Sequence, residues 1–597
     1  MRKWWRLVLL VVTVFWVAIG LNACNPHNFR MATAQTTQYI TSTLSDPKTF
    51  NLALSQEWPD ISIFTADFLI DQNGLTGNIE PELAESWTLS DDKLKYIFTL
   101  REGLKWSDGK PLTAEDIEFT FNSIFLNEKI PTDFRDGLRI GEKRELPKVR
   151  KLDDRRIEFT LPEPFAPFLR SLVGAPIYPA HILKETVTTN DASGNPVFLS
   201  TWGTDTDPRK LVVNGPYIID SYVVNQRMVF RRNPHYWRKD AQGTQLPYID
   251  RIVWRFVESS DTQLLQFRSG TLDALGLGPD DFSLVKREEE RGNFRIYNGG
   301  PASGTNFISF NLNKAKNSRG EPLVDPIKSR WFNNLSFRQA VAHAINRTQM
   351  INNIFYGIGQ PQDSPVSVQS SFYLSVEEGL KTYDYDLQKS KEILQRAGFK
   401  YDAKGQLLDD QGNRVRFTLI TNAENRTRVA MAAQIKQDLA AIGVQVDFNP
   451  ISFATLVEQI STSRTWDCYL LGFTGGVEPN DGSNVWMSTG GLHSFNQGPV
   501  PGQPPIQGWQ VSDWEKEIDR LFIAGAREFD EAKRKEIYGK FQQLVQEQLP
   551  QIFLVNSVGL AAIRNHIQGI QYTTLDRRGS LWNVYQLKDT SIETQLT

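Results

Sequence analysis

Cysteine is nearly absent from this chain, and its scarcity limits how the fold can be held together. Only Cys24 and Cys468 occur among the 597 residues. Two cysteines cannot supply a disulfide framework, and no internal disulfide remains if Cys24 is modified. We therefore expect the fold to depend on its apolar cores.

Histidine is also scarce, and the motifs of common enzyme sites are missing. The six histidines form no H-x-x-x-H pair and no cluster with cysteine, which argues against a catalytic metal and against nickel held by a histidine pair. There is no G-x-S-x-G elbow, and residues 103–110 do not match a phosphate-binding loop. We expect no metal, no cofactor and no enzyme activity.

The chain lacks an excess of either charge. Lys and Arg number 66 and Asp and Glu 69, scattered along the sequence without a basic stripe, so nucleic acid is not an expected partner. At 597 residues the chain exceeds the roughly 250 to 300 residues at which single cores stop growing. Two or three domains are therefore expected.

The N-terminus differs from the rest of the chain. Arg2, Lys3 and Arg6 precede an apolar run that ends at Leu21 and is too short for the roughly 30 Å core of a bilayer. This pattern predicts a cleaved signal over 1–23. Residues 21–24, Leu-Asn-Ala-Cys, resemble a bacterial lipobox, so Cys24 is the predicted lipidation site and 24–38 a tether.

Lipidation at Cys24 has one alternative. Cleavage at an ordinary site near Ala34 would leave Cys24 as a chance cysteine. Two or more acyl chains would give stable attachment to a membrane, because each buried CH₂ contributes about 0.8 kcal/mol. We thus expect a periplasmic protein, or one on the outer face of the cytoplasmic membrane, anchored by lipid.

Strand–helix–strand patterns indicate α/β architecture. Apolar residues alternate over 415–419 and again over 444–448, and the intervening 424–442 is rich in helix formers and followed by Gly443. Such a crossover makes the two strands parallel neighbours. A second unit of this kind is predicted over 251–275.

Two helices carry start signals. Ser336 and Gln339 form a predicted capping box for a helix that runs to Gly357, and Thr113 with Asp116 caps another. Both helices show apolar residues at helical spacing. We expect each to pack on a core.

Several blocks of sequence carry a resemblance to a known family. In chain order they are IEPELAESW (79–87), FTLR (98–101), WSDGKPLTAED (106–116), NGPY (214–217), RNPHYW (232–237), SGTLD (269–273), FRQAV (337–341), AINR (344–347) and AGF (397–399). Together they resemble extracellular solute-binding family 5, the oligopeptide/dipeptide/nickel-type binding proteins of ABC importers. The resemblance extends over roughly residues 40–575.

The resemblance implies a two-lobed periplasmic-binding-protein type II fold with an extra inserted domain. Ligand would be enclosed between the lobes by hinge closure. The expected boundaries are 39–78, 210–300 and 515–590 for lobe I, 79–209 for the extra domain and 301–514 for lobe II.

The loop after residue 472 departs from the family pattern. Peptide binders of the family commonly carry an aspartate there, just before an acidic-Pro pair, which holds the α-amino group of the peptide. Here Gly475 and Gly476 stand in its place before Glu478 and Pro479. Either Glu478 or Asp481 holds the ammonium instead, or the ligand has no free amine.

Further ligand contacts are expected around this loop. Phe473, Asn480 and Trp486 are candidates within or beside it, and Asn306 is a candidate polar contact on the hinge side. Aromatic rings offer apolar area at low entropic cost, although Phe473 and Trp486 would serve equally in a core.

The resemblance implies an importer component that captures an oligopeptide or peptide-like solute. Its partners would be the permease and ATPase subunits of an ABC importer, and we assume a monomer. Alternatives on the same fold are an oligosaccharide or another non-peptide solute, and an assembly or sensory protein without transport. A secreted hydrolase with carboxylate chemistry is a remote alternative.

Overall fold

The computed structural model describes residues 36–55, 59–132, 134–499 and 504–591. The predicted signal, the lipidation candidate Cys24 and nearly all of the predicted tether lie outside these residues. Within the described ranges, no helix combines the length and apolar character needed to span a membrane.

Twenty-three strands are described and are numbered in chain order. They are β1 (Gln38–Thr43), β2 (Ile70–Gln72), β3 (Ile79–Pro81), β4 (Ala84–Leu89), β5 (Lys95–Leu100), β6 (Lys148–Lys151), β7 (Arg156–Thr160), β8 (Tyr217–Val223), β9 (Arg227–Arg232), β10 (Arg251–Phe256), β11 (Ala274–Leu277), β12 (Phe294–Pro301), β13 (Thr305–Phe310), β14 (Gly359–Pro361), β15 (Lys400–Tyr401), β16 (Leu407–Leu408), β17 (Arg416–Asn422), β18 (Gln445–Ile451), β19 (Cys468–Phe473), β20 (Gln551–Phe553), β21 (Val555–Arg564), β22 (Ile567–Gln568) and β23 (Lys588–Asp589).

Sixteen α-helices are described among the same residues. They are α1 (Ser62–Thr65), α2 (Ala114–Phe119), α3 (Phe134–Gly137), α4 (Phe168–Leu172), α5 (Ala180–Thr188), α6 (Ser260–Arg268), α7 (Pro279–Arg287), α8 (Pro326–Asn333), α9 (Leu335–Ala344), α10 (Arg347–Asn353), α11 (Leu387–Arg396), α12 (Arg426–Ala440), α13 (Phe453–Val457), α14 (Ser483–Trp486), α15 (Asp513–Arg527) and α16 (Glu531–Gln548).

The strands form two groups of sheets, one in each lobe of an α/β fold. The first lobe holds the sheets β1-β10-β9-β8, β4-β5-β7-β6 and β11-β21-β12. The second holds the five-stranded sheet β18-β17-β19-β13-β20. In that sheet β17 is parallel to both β18 and β19, so the carboxyl ends of these three strands lie at one edge, where ligand sites of α/β sheets form.

Two large apolar cores match the two lobes. The first draws mainly on residues 39–256 and the second on residues 307–555. Residues 79–209, which we expected as a separate domain, share the first core with 39–78 and 210–256. A smaller core lies beneath β11, β12 and β21.

The C-terminal helices belong with the second core. We expected 515–590 in lobe I, but α15 and α16 place buried residues such as Phe522 and Phe541 in the second core. Their amphipathic faces bury there, next to β20, which pairs with β13 of the same sheet. Only the segment after about residue 555 lies in the first lobe.

The sequence-based elements agree with the structure in part. The unit over 414–449 is confirmed, with β17 and β18 as parallel neighbours on either side of α12. The strands and helix over 251–275 exist, but their predicted pairing is wrong, because β10 and β11 lie in different sheets. The capping box of Thr113 and Asp116 is present.

One predicted helix is interrupted. The segment from Ser336 to Gly357 forms α9 and α10, separated at Ile345 and Asn346. Asn334, rather than Ser336, accepts the cap hydrogen bonds of α9, and Asn346 caps α10. Asparagine competes with helical hydrogen bonding in the interior and favours caps, which explains the break.

The chain crosses between the lobes through a pair of adjacent segments. Residues 302–304 join β12 to β13, and Leu554 joins β20 to β21. The segments are tied together, because the amide of Ala302 donates to the carbonyl of Ser557 over 2.8 Å and Asn556 donates to the carbonyl of Ala302. Two crossings of this kind form a hinge.

The lobes also meet at a seam away from the hinge. The amide of Ala166 donates to the carbonyl of Ala526 over 2.7 Å, and Arg527 makes a bidentate ion pair with Glu163 at 3.1 and 2.8 Å. Ala526 and Arg527 end α15 of the second lobe, whereas Glu163 and Ala166 belong to the first. The structure therefore shows the lobes in contact on both sides of the space between them.

Candidate functional site

Three adjoining cavities lie along the junction of the lobes. The loop cavity, of about 260 Å³, is bounded by the loop after β19. The middle cavity, of about 370 Å³, shares Ser303 and Gly475 with it. The far cavity, of about 450 Å³, shares Ser62 and Arg577 with the middle one. The second lobe lines the loop cavity, the first lobe lines the far cavity, and both lobes line the middle cavity, to which the second contributes Ser303 and Gly475. The three adjoining cavities are together called the cleft.

Two predicted aromatic residues border the loop cavity. Phe473 ends β19, is half-buried and packs on Phe307 with ring centroids 5.2 Å apart. Trp486 ends α14, is buried and meets Phe541 edge-on at 5.2 Å. Phe473 therefore offers the larger accessible face to a ligand, and Trp486 serves mainly in the core.

The glycines that replace the expected aspartate have a steric cause. A Cβ on Gly475 would collide with the carbonyl oxygen of Ser303, on the hinge segment. A Cβ on Gly476 would lie 2.6 Å from Oδ2 of Asp481. The loop thus needs glycine at 475, where the neighbour is backbone, whereas a side chain at 476 would require only that the Asp481 carboxylate turn aside.

The Glu478 carboxylate makes structural contacts within the second lobe. Its carboxylate is buried, accepts from the Asn480 amide at 3.1 Å and forms an ion pair with Nη2 of Arg534 at 2.7 Å. The Arg534 guanidinium stacks over Phe372 at 4.8 Å. A carboxylate compensated in this way has little capacity left for a ligand ammonium.

Asp481 is the acid that faces the cavity. Its side chain is exposed to the loop cavity and accepts no hydrogen bond from the described residues. Burial within the cleft, and to a smaller extent the charge of Glu478, raise its pKa to about 7 against the opposing charges of Arg170 and Arg534. The Asp481 carboxylate can be accessible and still poorly hydrated, because it opens into a narrow space walled by protein.

Two other predicted contacts do not line the three cavities. Asn480 is half-buried in a short 3₁₀ turn, where its amide donates to Glu478. Asn306 lies beside the hinge, where its side chain donates to the carbonyl of Val555 at 3.3 Å and its amide donates to Gln362. The Asn306 side chain thus links the chain that follows the first crossing to the chain that follows the second.

Arg170 brings positive charge to the cleft from the first lobe. This residue of α4 donates to Oε1 of Gln72 at 2.7 Å. Burial lowers the pKa of Arg170, and the negative charges of Glu478 and Asp481 partly restore it. The acids of the second lobe therefore attract a cation of the first across the cleft.

A second group of charges comes from the C-terminal segment. Arg578 binds Asp71 and Asp576, each at 2.6 Å, and its pKa is raised by these two acids. This pairing holds the segment against β2. The neighbouring Arg577 is exposed and lines both the middle and the far cavity.

Sequence reasoning missed Arg170, Gln72 and Arg577. They come from three distant parts of the chain, and no motif in the sequence marks any of them. The family-like blocks lie elsewhere, so only the folded arrangement brings these residues to the cleft. Among the residues that the structure covers, no group of three His, Cys, Asp or Glu could hold a metal ion.

Comparisons with known proteins agree on one family. The family model for bacterial extracellular solute-binding proteins, family 5 Middle, matches residues 78–494. A probable ABC transporter-binding protein of Deinococcus radiodurans is 30% identical over 547 residues, which cover 88% of each chain. A dipeptide-binding protein of Pseudomonas aeruginosa is 23% identical over 580 residues, covering 94% of this chain and 96% of its own.

Solved structures share the fold. The oligopeptide-binding protein AppA of Bacillus subtilis, in complex with a nonapeptide, is 22% identical, covers 93% of this chain and 99% of its own, and has a TM-score of 0.69. The periplasmic binding protein MelB of Agrobacterium fabrum, in complex with stachyose, is 21% identical, with 93% and 85% covered and a TM-score of 0.71. At these identities the likeness concerns the fold alone.

Proposed function

The chain belongs to the bacterial extracellular solute-binding proteins, family 5, and from that premise we propose that it captures a peptide with a free amino group in the cleft between its lobes. It is a substrate-binding component of an ABC importer and not an enzyme. Its partners are the permease and ATPase subunits of that importer, to which closed lobes would deliver the peptide.

Asp481 is the observation that carries the peptide assignment. A carboxylate that is exposed to an enclosed cavity, without a hydrogen bond from the described residues, suits a ligand ammonium. Phe473 offers apolar surface beside it. The cleft is lined partly by backbone of the glycine-rich loop, which can bond to peptide groups of varied sequence.

A sugar ligand is the second candidate. MelB, with a similar fold, is bound to stachyose. Aromatic faces such as Phe473 also suit sugars, and a carboxylate accepts hydrogen bonds from sugar hydroxyl groups, but only an ammonium adds an opposite charge. The amino group of the ligand is therefore the feature to test.

Paired probes test the role of the amino group. We expect the purified protein to bind a random tetrapeptide mixture with free amino termini and to bind the N-acetylated mixture at least about tenfold more weakly, because a charge-assisted hydrogen bond is lost. Asp481→Asn should reduce binding of the free mixture by a similar factor. Isothermal titration calorimetry gives both values.

The matched control for this test is Asp513→Asn, which removes a solvent-exposed carboxyl at the start of α15 that pairs with Lys516. It should leave both affinities unchanged. Equal binding of free and acetylated mixtures would remove Asp481 as the ammonium site. Binding of stachyose with no binding of either peptide mixture would replace the peptide assignment with the sugar one.

For the N-terminus we propose cleavage after residue 23, acylation of Cys24 and a tether over 24–38, which hold a monomer at the outer face of the cytoplasmic membrane. The sequence pattern before Cys24 supports this proposal. Cys24→Ser should move the exported protein from the membrane fraction to the soluble fraction. An unchanged distribution would contradict lipid anchoring.

For the domains we propose a division that follows the cores. The first lobe would comprise residues 39–300 and the segment after 555, with 79–209 as its family-specific part, and the second lobe residues 301–555. Limited proteolysis of the ligand-free protein should cut first near the two crossings. Early cleavage at 514 instead would favour the boundary expected from sequence.

A further inference from the structure

The outer face of the sheet β1-β10-β9-β8 carries two cross-strand pairs of arginines. Residues directly opposite in antiparallel strands share a face, and the register sets Arg227 of β9 opposite Arg255 of β10 and Arg231 opposite Arg251. The other face of the sheet lies in the first core, through residues such as Trp254. The four arginines, here called the arginine face, therefore point away from that core.

The charges of the arginine face are largely unneutralised. Among the described residues, the side chains of Arg227, Arg251 and Arg255 make no hydrogen bond or ion pair. Arg231 has one acidic neighbour, Asp220, at 3.7 Å, and both side chains are exposed. Like charges directly opposite each other destabilise a sheet, so the arrangement costs stability in the protein alone.

Arg255 shows this cost most clearly. It is half-buried, and burial lowers its pKa. The charge of Arg227 lowers the pKa further, and the attraction of Asp273 offsets only part of the decrease. Covering the buried Val229, which lies between the two pairs, needs only aliphatic stems, and neutral side chains of similar length supply these as well. Packing therefore does not explain four positive charges.

Exposed apolar side chains adjoin one end of the arginine face. Val223 ends β8, Val224 follows it in the turn to β9, and Leu44 follows β1. The segment after β1 is held near this turn, because Asp46 accepts a hydrogen bond from the hydroxyl of Tyr222 at 3.0 Å. Positive charge beside exposed apolar side chains is the combination that binds a surface of anionic lipid.

The start of β1 lies at the other end of the arginine face. Gln38, its first residue, pairs with Arg251. Cys24 lies 14 residues earlier in the chain, and at roughly 3.6 Å per residue this stretch can reach at most about 50 Å. A lipid on Cys24 would therefore keep the arginine face close to the membrane, where even a weak contact forms often.

We propose that the arginine face binds the anionic phospholipid headgroups of the membrane that carries the protein, with Val223, Val224 and Leu44 in contact with the same surface. This proposal rests on the proposed function, in particular on the lipid anchor at Cys24. The whole chain has more acids than bases, so only a local cluster can attract anionic lipid. The contact would orient the first lobe on the membrane, whereas the lipid anchor alone would leave it free to rotate.

The test uses the mature chain with Cys24→Ser, so that only the protein surface can bind lipid. This protein should sediment with vesicles of equal parts phosphatidylglycerol and phosphatidylcholine but not with vesicles of phosphatidylcholine alone, and added salt should weaken the binding. Arg227→Gln with Arg255→Gln should weaken it by about fivefold for each arginine removed. Arg231→Gln with Arg251→Gln should do the same. Neither double variant should melt at a lower temperature than its parent, because repulsion is removed.

The matched control removes the same charge from the second lobe. Arg396→Gln with Arg416→Gln takes away two exposed arginines, each paired with an acid, and should leave vesicle binding unchanged. A loss in the control as large as in the two double variants would overturn the proposal, because net charge alone would then explain it.

The other outcomes separate the arginine face from the lipid anchor and from a protein partner. Equal sedimentation with both kinds of vesicle would overturn the proposal. If the arginine variants then lowered peptide uptake by cells at unchanged peptide affinity, the face would belong to an acidic protein partner. Membrane fractionation in about 1 M salt, where the Debye length is about 3 Å, tests the anchor alone. Release of the wild type by that wash would contradict the anchor, whereas selective binding to anionic vesicles would still support the arginine face.

Discussion

Glu478 and Asp481 illustrate how two acids three residues apart take different roles. The sequence alone left both as candidates for a ligand ammonium. Glu478 is buried and paired with Arg534 at 2.7 Å, whereas Asp481 is exposed to the loop cavity. No local pattern encodes this difference, because it depends on Arg534, which lies on a helix 56 residues later.

The raised pKa of Asp481 predicts pH-dependent binding. An ammonium is attracted only by the ionised carboxylate, so affinity for the free tetrapeptide mixture should fall as pH drops through about 7, by up to about tenfold per pH unit below it. Above about pH 8 the peptide amine loses its proton and affinity should fall again. Calorimetric titration at pH 5, 6, 7 and 8 measures this profile.

Two comparisons make the pH test specific. Asp481→Asn should bind weakly and show no dependence between pH 5 and 7. Relative to ligand-free Asp481→Asn, the ligand-free wild type should lose melting temperature as pH rises from about 4 to 7, because a carboxyl whose pKa is raised on folding stabilises the folded state only while it is protonated. Affinity that stays constant from pH 5 to 7 would contradict the assignment of Asp481.

At the scale of elements, the sequence predicted local structure better than pairing. Alternation and helix formers located β17, α12 and β18, and their parallel order followed because one crossover helix joins them. The same reasoning found β10 and β11 but paired them wrongly. β11 instead pairs with β21, which lies nearly 300 residues later in the chain. The spacing of hydrophobic residues within a segment does not indicate which distant strand will pair with it.

The Glu478–Arg534 pair connects the ligand loop to α16, and it predicts a stability change. Arg534→Met should lower the free energy of unfolding by about 3 to 5 kcal/mol, since a buried carboxylate would lose its partner. Adding Glu478→Gln should recover part of that loss. Urea unfolding followed by tryptophan fluorescence gives these values.

The control for this prediction lies on the preceding helix. Arg520→Met removes an exposed arginine whose partner Glu517 lies on the same helix α15, and it should cost less than about 1 kcal/mol. If Arg534→Met costs no more than Arg520→Met, the buried pair does not stabilise the loop.

At the scale of the whole molecule, family blocks allowed the two lobes to be predicted, but not the walls of the cleft. The two cores agree with two lobes, and the loop after β19 borders the loop cavity. The opposite wall contains Gln72 and Arg577, and Arg170 donates a hydrogen bond to Gln72; only the fold brings these residues together. Their identity depends on long-range packing, so one sequence could not reveal it.

The seam between Glu163 and Arg527 predicts a small effect on affinity. Arg527→Glu places like charges together where the lobes meet, and it should weaken tetrapeptide binding by about fivefold, the scale of a partly exposed ion pair. The melting temperature should hardly change, because neither core is touched. Calorimetry and thermal melting measure the two quantities.

Arg520→Glu, on the same helix but away from Glu163, is the control and should leave affinity unchanged. A variant at 527 with unaltered affinity and an unaltered radius of gyration in the absence of ligand would show that the seam does not hold the lobes together.

The lining residues that the three cavities share affect how long a ligand stays bound as well as how tightly it binds. A solute that occupies them touches the hinge segment, the glycine-rich loop and the first lobe at once, so it cannot depart until the lobes separate. The rate at which the lobes open should then set an upper limit on the rate at which any solute leaves.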